Sequence, residues 1–319
     1  MVRFSIVIPN YNGLSFIKPC LDSIGCQSFT DYEVIFVDNA SSDGSVELVQ
    51  SDYSHIILYC NSTNRGYAGG CNDGWKVARG ELILMLNSDT ILKEDCLFEL
   101  DKATKKFSSF GMYAPKILYK DGRINAAGCD LSISGASWER GKGQCDGVEF
   151  DEPCKVFGPY GAAALFQREL LYRTGGFDED FFMFVEETDL SFRAYFFGYS
   201  CLYVPSAVII HHHGGTAGRT SDLSLYYLHR NSIWFVLSNF PILLLIMSFP
   251  LFFIRNVIVL IFYLCLGRGQ VVFQAKIDAI RGLPNALIKR GMRKPNSLPR
   301  SLPMHVMKSW KLGEIFKKR

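Results

Sequence analysis

Four short polar segments, each lying directly after an apolar run, hold most of the residue types in this chain that could do chemistry. The apolar runs are Phe4–Ile8, Val34–Val37, Ile56–Tyr59 and Leu82–Leu86, and the polar segments are Pro9–Gly13, Asp38–Gly44, Asn61–Gly70 and Asn87–Asp89. The runs lie about 25 residues apart, which is typical of βαβ units and predicts a largely parallel sheet buried on both faces. Ligands bind beyond the carboxyl ends of the strands in such a sheet. We therefore expect the four segments to form one site, although any one of them alone would suit an ordinary turn.

Asp89 lies just beyond the most apolar of these runs. A carboxylate at the tip of a buried strand can hold Mg²⁺ or Mn²⁺, which accept one or two protein carboxylates and take their other ligands from water and phosphate. The alternative is a turn or helix-capping role, because a helix is predicted over residues 93–107.

Two of the other segments suit a nucleotide. Asp38 could accept hydrogen bonds from a base or a ribose, as acidic residues at strand ends do in nucleotide-binding folds. Asn61–Gly70 opens a predicted helix with small residues that let backbone amides approach a phosphate, and Arg65 could add a positive charge. The segment contains neither the Gly-Lys-Ser/Thr of a Walker motif nor a GxGxxG fingerprint.

Carboxylates are clustered again at Glu186, Glu187 and Asp189, directly after the aromatic run 181–184. Mutual repulsion and loss of solvation beside aromatic rings both raise the pKa of a carboxyl group towards values suited to a general base. The alternative is the acidic first turn of a helix, which the helix dipole favours.

Three consecutive histidines, His211–His213, follow a predicted strand over residues 200–204 and the apolar pair 209–210. A neutral imidazole from this triplet could complete a metal shell begun by Asp89. Alternation along a strand would instead bury one ring and expose its neighbours.

The composition after Arg230 changes sharply. Residues 231–254 carry no charge, Arg255 interrupts, and residues 256–266 are again uncharged. Twenty-four residues are enough to span a bilayer, but Pro241 and Pro250 would break or kink the helix. We expect a re-entrant or in-plane helical hairpin with Arg255 near the lipid headgroups. The alternative is a buried core helix or an oligomer interface.

The charge is divided unevenly along the chain of 319 residues. Residues 267–319 hold thirteen Lys/Arg and two Asp/Glu, so this tail carries +11 and the remaining 266 residues carry −8 of the overall +3. An acidic body argues against general nucleic-acid binding, and the basic tail predicts contact with anionic lipid on the cytoplasmic side. The ten cysteines lack CxxC spacing and the start of the chain lacks a secretory pattern, both of which favour the reducing cytosol.

Seven motifs in order over residues 4–231 resemble those of the family 2 glycosyltransferases with the GT-A fold, especially the bacterial rhamnosyltransferase-like enzymes that build surface polysaccharides. They are Ser5–Gly13, Val37–Ser45, Asn64–Asn72, Leu86–Asp89, Gly175–Glu179, Glu186–Leu190 and His212–Gly215. The resemblance implies an α/β GT-A fold, with a mostly parallel central sheet and flanking helices, and the composition adds a membrane-associated C-terminal helical segment. The domain boundaries implied are 1–230 for the transferase, with a nucleotide-sugar half (1–112) and an acceptor half (113–230), then the hairpin 231–266 and the tail 267–319.

The resemblance also implies an inverting, metal-dependent transfer of one sugar from a nucleotide diphosphate sugar, with Mg²⁺ or Mn²⁺ as cofactor. Asp89 and His212 would bind the metal, with Asn87 standing at the first acidic position of the family's Asp-x-Asp. Glu187 would be the general base, and Glu186 and Asp189 supporting acids. The residues expected at the donor are Pro9, Asn10, Tyr11, Asn12, Asp38, Asn39, Asn64, Arg65, Gly66, Asn72, Asn87 and Ser88.

The apolar segment and the resemblance together predict a lipid-linked saccharide as acceptor and the cytoplasmic face of the cell membrane as the location. An oligomer is compatible with the sequence. The processive Gln-x-x-Arg-Trp motif is missing, because no Trp follows Arg230, so we expect one sugar per encounter. Two alternatives are a nucleotidyltransferase, which should carry a basic glycine-rich loop where Asn10–Gly13 stands, and a non-catalytic membrane-associated scaffold.

Overall fold

The computed structural model of the chain describes residues 2–212 and 221–293 and the backbone of residues 307–308. The strands are β1 (Phe4–Asn10), β2 (Tyr32–Asp38), β3 (Ile57–Cys60), β4 (Leu82–Leu86), β5 (Thr90–Leu92), β6 (Met112–Leu118), β7 (Ile124–Ala126), β8 (Cys129–Ser132), β9 (Ser137–Glu139), β10 (Cys154–Val156), β11 (Ala163–Gln167), β12 (Cys201–His211) and β13 (Met307–Lys308). The helices are α1 (Leu14–Gly25), α2 (Ser45–Asp52), α3 (Gly66–Val77), α4 (Cys96–Lys106), α5 (Arg168–Thr174), α6 (Glu186–Phe196), α7 (Asp222–Asn239), α8 (Ile242–Cys265), α9 (Gly269–Arg281) and α10 (Leu283–Arg293).

The main sheet confirms the predicted α/β architecture. Its strand order is β3-β2-β1-β4-β11-β6-β12-β10, and β1 is parallel to both β2 and β4. Strand β11 runs against both of its neighbours, while β6 and β12 are parallel to each other. The four apolar runs form β1 to β4, and the carboxyl ends of these parallel strands meet at one edge of the sheet.

Helices cover both faces of this sheet because successive side chains of a strand point to opposite faces. Ile6 and Ile8 of β1 pack in one core with residues of α1 and α4, such as Leu21 and Leu97. Val7 packs in a second core with residues of α3, α5 and α6. Burial on both sides explains why β1 and β4 read as continuous apolar runs.

A small second sheet projects from the acceptor half, in a stretch without clear periodicity. Strands β8 and β9 are antiparallel, and β13 pairs with β8 through residues 307 and 308. This sheet brings Trp138 and Glu139 of β9 towards α6 and α8, where they line a cavity.

The uncharged segment forms the end of α7 and all of α8, so the predicted boundary at 230/231 lies inside α7. Pro241 precedes the first turn of α8, a position that proline tolerates, whereas Pro250 lies within the helix without ending it. Helix α8 is long and apolar enough to cross a membrane, with a mean hydropathy of 2.3, and 22% of that window is buried. Arg255 is also buried, so the structure does not place it on the exposed face where headgroup contact was expected.

Two basic residues in the described part of the tail hold helix α10 to the body. Lys289 pairs with Asp178 and Asp180, and Arg293 pairs with Asp178 and Asp189. The tail was expected to be a separate basic segment. Within the described residues, α10 instead docks on the acidic loop before α6 through these ion pairs.

Candidate active site

The first two polar segments meet as predicted. The side-chain amide of Asn10 donates to Asp38 Oδ1 at 3.2 Å and to Ser41 Oγ at 3.2 Å, and the backbone N–H of Ser41 donates to Asp38 Oδ2 at 2.8 Å. Asn12 lies in the left-handed region, with φ of 51°, and its side chain accepts a bond from the Ser42 N–H. Tyr11 is 38% exposed beside this network, so it is free to contact a ligand.

The third segment lies at the same edge. Several of its side chains that were expected to bind the nucleotide sugar instead form hydrogen bonds within the protein. Asn39 donates to the carbonyl oxygen of Gly66 at 2.9 Å, and Asn64 accepts a bond from the Gly66 N–H at 2.8 Å. Gly66 has φ of +69°, and a Cβ there would clash with the carbonyl oxygen of Phe182. The glycine is therefore required for the loop before α6 to approach α3.

Arg65 and Asn72 face the protein in this structure. The Arg65 guanidinium pairs with Asp73 and with Glu179, and the buried Asn72 amide donates to the Phe177 carbonyl and to Glu179 at 2.9 Å each. Both residues thus fasten the segment around Glu179 to α3. Their predicted contacts with the donor remain predictions.

The fourth segment completes the edge. Ser88 lies close to Asn10 across Gly13, where an added Cβ would be 2.4 Å from Asn10 Oδ1 and 3.1 Å from Ser88 Oγ. The backbone N–H of Asn87 donates to the Ala162 carbonyl at 2.9 Å, which places this segment beside the acceptor half. The hydroxyl of Thr90 caps the turn by donating to the Asn87 carbonyl.

The Asp89 carboxylate contacts His211. Strand pairing sets this contact, because Thr90 of β5 lies opposite His211 of β12. His211 Nε2 is 3.2 Å from Asp89 Oδ1, and its Nδ1 is 2.9 Å from Asn125 Oδ1. The ring of the predicted ligand His212 instead packs edge-on against Phe16, at 6.5 Å between centroids. The third histidine of the triplet lies outside the described residues.

The predicted acidic cluster opens α6. Glu186 is 4% exposed, and burial, followed by the neighbouring charge of Glu187, raises its pKa well above the ordinary value. Burial, followed by the charge of Glu139, raises the pKa of Glu187 to about 7. A carboxyl group with this pKa is divided between its acid and base forms at neutral pH, which suits proton transfer.

The Asp189 carboxylate is held in ion pairs with two arginines. Its side chain is fully buried and does not line the cavity beside Glu187. It pairs with Arg193 at 2.8 Å and with Arg293 at 2.7 Å. Burial opposes ionisation, but these two charges and the amide of Asn239 lower its pKa below the ordinary value. Asp189 thus fastens α6 to α10, and its predicted role as a supporting acid stays a prediction.

The loop that directly precedes Glu186 and Glu187 has a strained backbone. Phe182, Phe184 and Val185 have φ values of 65°, 64° and 74°, in the left-handed region that non-glycine residues rarely occupy. Asn231 of α7 holds this loop, because its buried side-chain amide donates to the carbonyl oxygens of Phe181, Met183 and Phe184. Sequence reasoning missed Asn231, since it opens the uncharged segment and carries no motif.

A cavity of about 200 Å³ lies in front of Glu187. Its chemistry-bearing wall residues are Trp138, Glu139, Lys142, Tyr160, Glu187, His229 and Arg255. The Tyr160 ring also lies 6.1 Å from the ring of His211. The cavity therefore begins one side chain away from Asp89 and extends to helix α8. Of these wall residues, sequence reasoning identified only Glu187 as a site residue.

Comparison with known proteins agrees with this arrangement. The family described as Glycosyl transferase family 2 matches residues 5–173, more than half of the chain. The N-acetylglucosaminyl-diphospho-decaprenol L-rhamnosyltransferase of Mycobacterium tuberculosis is 24% identical over 72% of this chain and 83% of its own length. The poly(ribitol-phosphate) beta-glucosyltransferase of Bacillus spizizenii is 34% identical over 34% of this chain. The match covers 18% of the Bacillus protein's length.

Two solved structures have a similar fold. The S. aureus TarS fragment 1–349 in complex with UDP superimposes with a TM-score of 0.52 and 19% identity, over 74% of this chain and 65% of that one. GalNAc-T7 with UDP, GalNAc and Mn²⁺ gives a TM-score of 0.60 and 15% identity, over 75% of this chain and 48% of that one. At these identities the likeness shows the fold alone.

Proposed function

The chain belongs to glycosyl transferase family 2, and from this premise we propose that it transfers one sugar from a nucleotide diphosphate sugar to a hydroxyl group of a lipid-linked saccharide. The observation that carries the proposal is Glu187. It is a partly buried carboxylate with a pKa of about 7 on the wall of a cavity. Tyr160 of the same wall lies 6.1 Å from the ring of His211, which contacts Asp89. A base so placed reaches an acceptor while the donor lies at the strand ends.

The donor half supports a nucleotide diphosphate sugar. Asp38 and Asn10 are buried and bonded to each other at this edge, and they shape the floor on which the nucleoside would lie. Tyr11 offers an exposed ring beside them. The solved relative TarS was crystallised with UDP and GalNAc-T7 with UDP and Mn²⁺, which supports a donor of this class.

The chemical step follows from the position of Glu187. Its carboxylate takes the proton of the acceptor hydroxyl as the hydroxyl oxygen attacks the anomeric carbon. The bond from that carbon to the diphosphate breaks, and its electron pair leaves with the diphosphate. Attack from the face opposite the leaving group inverts the anomeric centre. Glu186, which is 4% exposed, closes the protein side of this site behind Glu187.

The donor set fits a divalent metal. Asp89 provides a hard carboxylate oxygen beside an imidazole of His211, and the other ligands of Mg²⁺ or Mn²⁺ come from water and phosphate. No group of three or more His, Cys, Asp or Glu side chains among the described residues forms a closed metal cage. When bound, the ion offsets charge on the leaving diphosphate. His212 stays the predicted second ligand, with His211 as the residue in contact with Asp89.

The acceptor assignment is supported by the apolar helix and by one relative. Helix α8 contributes Arg255, Asn256 and Val259 to the same cavity as Glu187, and its other face is exposed and apolar. The mycobacterial relative is named for an acceptor in which a sugar is joined through diphosphate to decaprenol. We accordingly place the enzyme at the cytoplasmic face of a membrane, acting in polysaccharide assembly.

A donor screen tests the proposal. Purified protein is incubated with a panel of nucleotide sugars, with and without Mn²⁺ and a lipid-linked saccharide, and the released nucleotide is identified. Release of nucleoside diphosphate with glycosylation of the acceptor is expected. Release of pyrophosphate would indicate a nucleotidyltransferase, and no turnover of any donor would favour a non-catalytic scaffold.

A further inference from the structure

Arg255 is an unusual charge in the structure. It lies in the middle of the apolar helix α8, is 7% exposed and lines the cavity in front of Glu187. A buried arginine is normally paired with a carboxylate, because an uncompensated charge in a low-dielectric site is costly. Within the residues that the structure describes, its guanidinium instead lies over the face of Phe252, at 5.5 Å from the ring centroid.

A second, partly buried cation increases the positive potential here. Lys276 of α9 donates to Asn256 Oδ1 at 2.6 Å, and Asn256 lines the cavity beside Arg255. Burial and the charge of Arg255 lower the pKa of Lys276 to about 8. Among the described residues, Arg255 contacts the Phe252 ring and Lys276 contacts Asn256, and neither forms an ion pair with a carboxylate.

The surroundings of Arg255 suit a ligand that contains a sugar, a phosphate group and an apolar chain. Glu187 lies on the same cavity and would meet a sugar hydroxyl. The opposite face of α8 exposes large apolar side chains, among them Ile246, Phe249 and Phe253. A guanidinium group between a sugar site and an apolar surface fits a phosphate group, which it can bind through two parallel hydrogen bonds.

We propose that Arg255, supported by Asn256, binds the diphosphate of a lipid-linked acceptor, with the sugar directed to Glu187 and the lipid chain lying along α8. This inference rests on the proposed function and names the acceptor's chemical class more narrowly. It makes Arg255 a specificity-determining residue, because an acceptor without the phosphate would leave the guanidinium buried and uncompensated.

The test measures binding of two short probes to the full chain in detergent, farnesyl diphosphate and farnesol, by calorimetry. Wild-type protein is expected to bind farnesyl diphosphate at least about tenfold more tightly than farnesol. Arg255→Gln should remove this preference and Arg255→Lys should keep part of it. Arg268→Gln, which removes an exposed cation paired with Asp222, is the matched control and should keep the full preference.

Equal binding of the two probes by wild-type protein would overturn the inference without the need for any variant. Flotation with phosphatidylglycerol vesicles tests the other source of phosphate, the headgroups of the bilayer. If Arg255→Gln abolishes vesicle binding and wild-type protein shows no preference for farnesyl diphosphate, the site takes bilayer headgroups and the inference is wrong. Donor hydrolysis by wild-type protein is measured in parallel: hydrolysis without a probe preference defeats this inference alone, whereas no hydrolysis of any donor defeats the proposed function.

Discussion

The side-chain amide of Asn231 donates to the carbonyl oxygen of Phe184 at 2.8 Å, two residues before Glu186. The same amide reaches the carbonyl oxygens of Phe181 and Met183. Helix α7 therefore fixes a loop whose backbone is strained, and the strain is located where the acidic pair begins. The relationship ties helix α7 to the position of Glu187, the proposed general base.

Replacing Asn231 by Ala should release the loop that positions Glu186 and Glu187. The loop would lose its donor and leave buried carbonyl groups unpaired, at a cost of about 1 to 3 kcal/mol in the free energy of unfolding. We expect a fall in the transfer rate larger than the change in KM for the donor. The matched control is Asn285→Ala, which removes an exposed amide bonded to Asp180 of the same loop region. Equal rates for the Asn231 variant and wild type would contradict the positioning role.

The pH dependence of transfer should follow Glu187. Its base form increases as pH rises through about 7, so the rate should rise over the same range. Removing the charge of Glu139 by Glu139→Gln takes away one cause of the raised pKa, and the rise should move to lower pH. Glu149→Gln, which removes an exposed carboxylate that does not line the cavity, should leave the profile in place. A profile unchanged by Glu139→Gln would show that this charge does not act on the base.

Glu187 should also make the fold less stable at alkaline pH. Its pKa is raised from 4.5 to about 7, so between these values the folded chain binds more protons than the unfolded chain. The free energy of unfolding then decreases by about 3 kcal/mol as pH rises through this window. Glu187→Gln, which should abolish transfer, is expected to be more stable than wild type at pH above 7 and to converge with it below about 5. Urea unfolding across pH would contradict this if the difference were constant.

The metal assignment can be tested by substitution at the sheet edge. Asp89→Asn keeps the shape of the side chain but removes its charge, and it should weaken Mn²⁺ binding and donor turnover together. His211→Ala and His212→Ala then form a matched pair, because the ring of His211 contacts Asp89 whereas the ring of His212 packs against Phe16. Electron paramagnetic resonance of bound Mn²⁺ measures the effect directly. Unchanged Mn²⁺ affinity in Asp89→Asn would remove this carboxylate from the site.

The strands of the donor half could be predicted because burial on both faces leaves a continuous apolar run, as in β4. Glu186 and Glu187 could be identified because aromatic neighbours signal desolvation. Arg65 and Asn72 could not be placed, since a polar residue at a helix opening suits a ligand or an internal partner equally well. Their common partner, Glu179, lies more than 100 residues later in the chain and contacts them through the tertiary fold.

The acceptor side was harder to predict for a physical reason. Asn231 acts on carbonyl groups almost 50 residues earlier in the chain, a contact that no local pattern encodes. Glu139 reaches Glu187 through a small sheet built in a stretch without periodicity. Arg255 interrupts an apolar segment, and the sequence could not distinguish a headgroup contact from a buried ligand site.

Membrane attachment should depend on the apolar face of α8 as well as on charge. Among the described residues of the tail, Arg268, Arg281, Lys289 and Arg293 already pair with carboxylates, so little of their charge is available to lipid. Phe249 and Phe253 are 57% and 58% exposed and stack on each other. Burying two such rings in a bilayer is worth about 3 to 6 kcal/mol.

Replacement of both rings by Ser should therefore reduce binding to phosphatidylglycerol vesicles more than tenfold. High salt screens the charged contribution, so wild-type protein should lose part of its binding and the double variant nearly all of it. Phe98→Ser, which removes a ring that is 49% exposed on α4, controls for a general loss of apolar surface. Flotation at low and high salt measures the two contributions separately. If the double variant floated like wild type at high salt, α8 would not be the membrane contact, and its exposed face would have to be covered by protein.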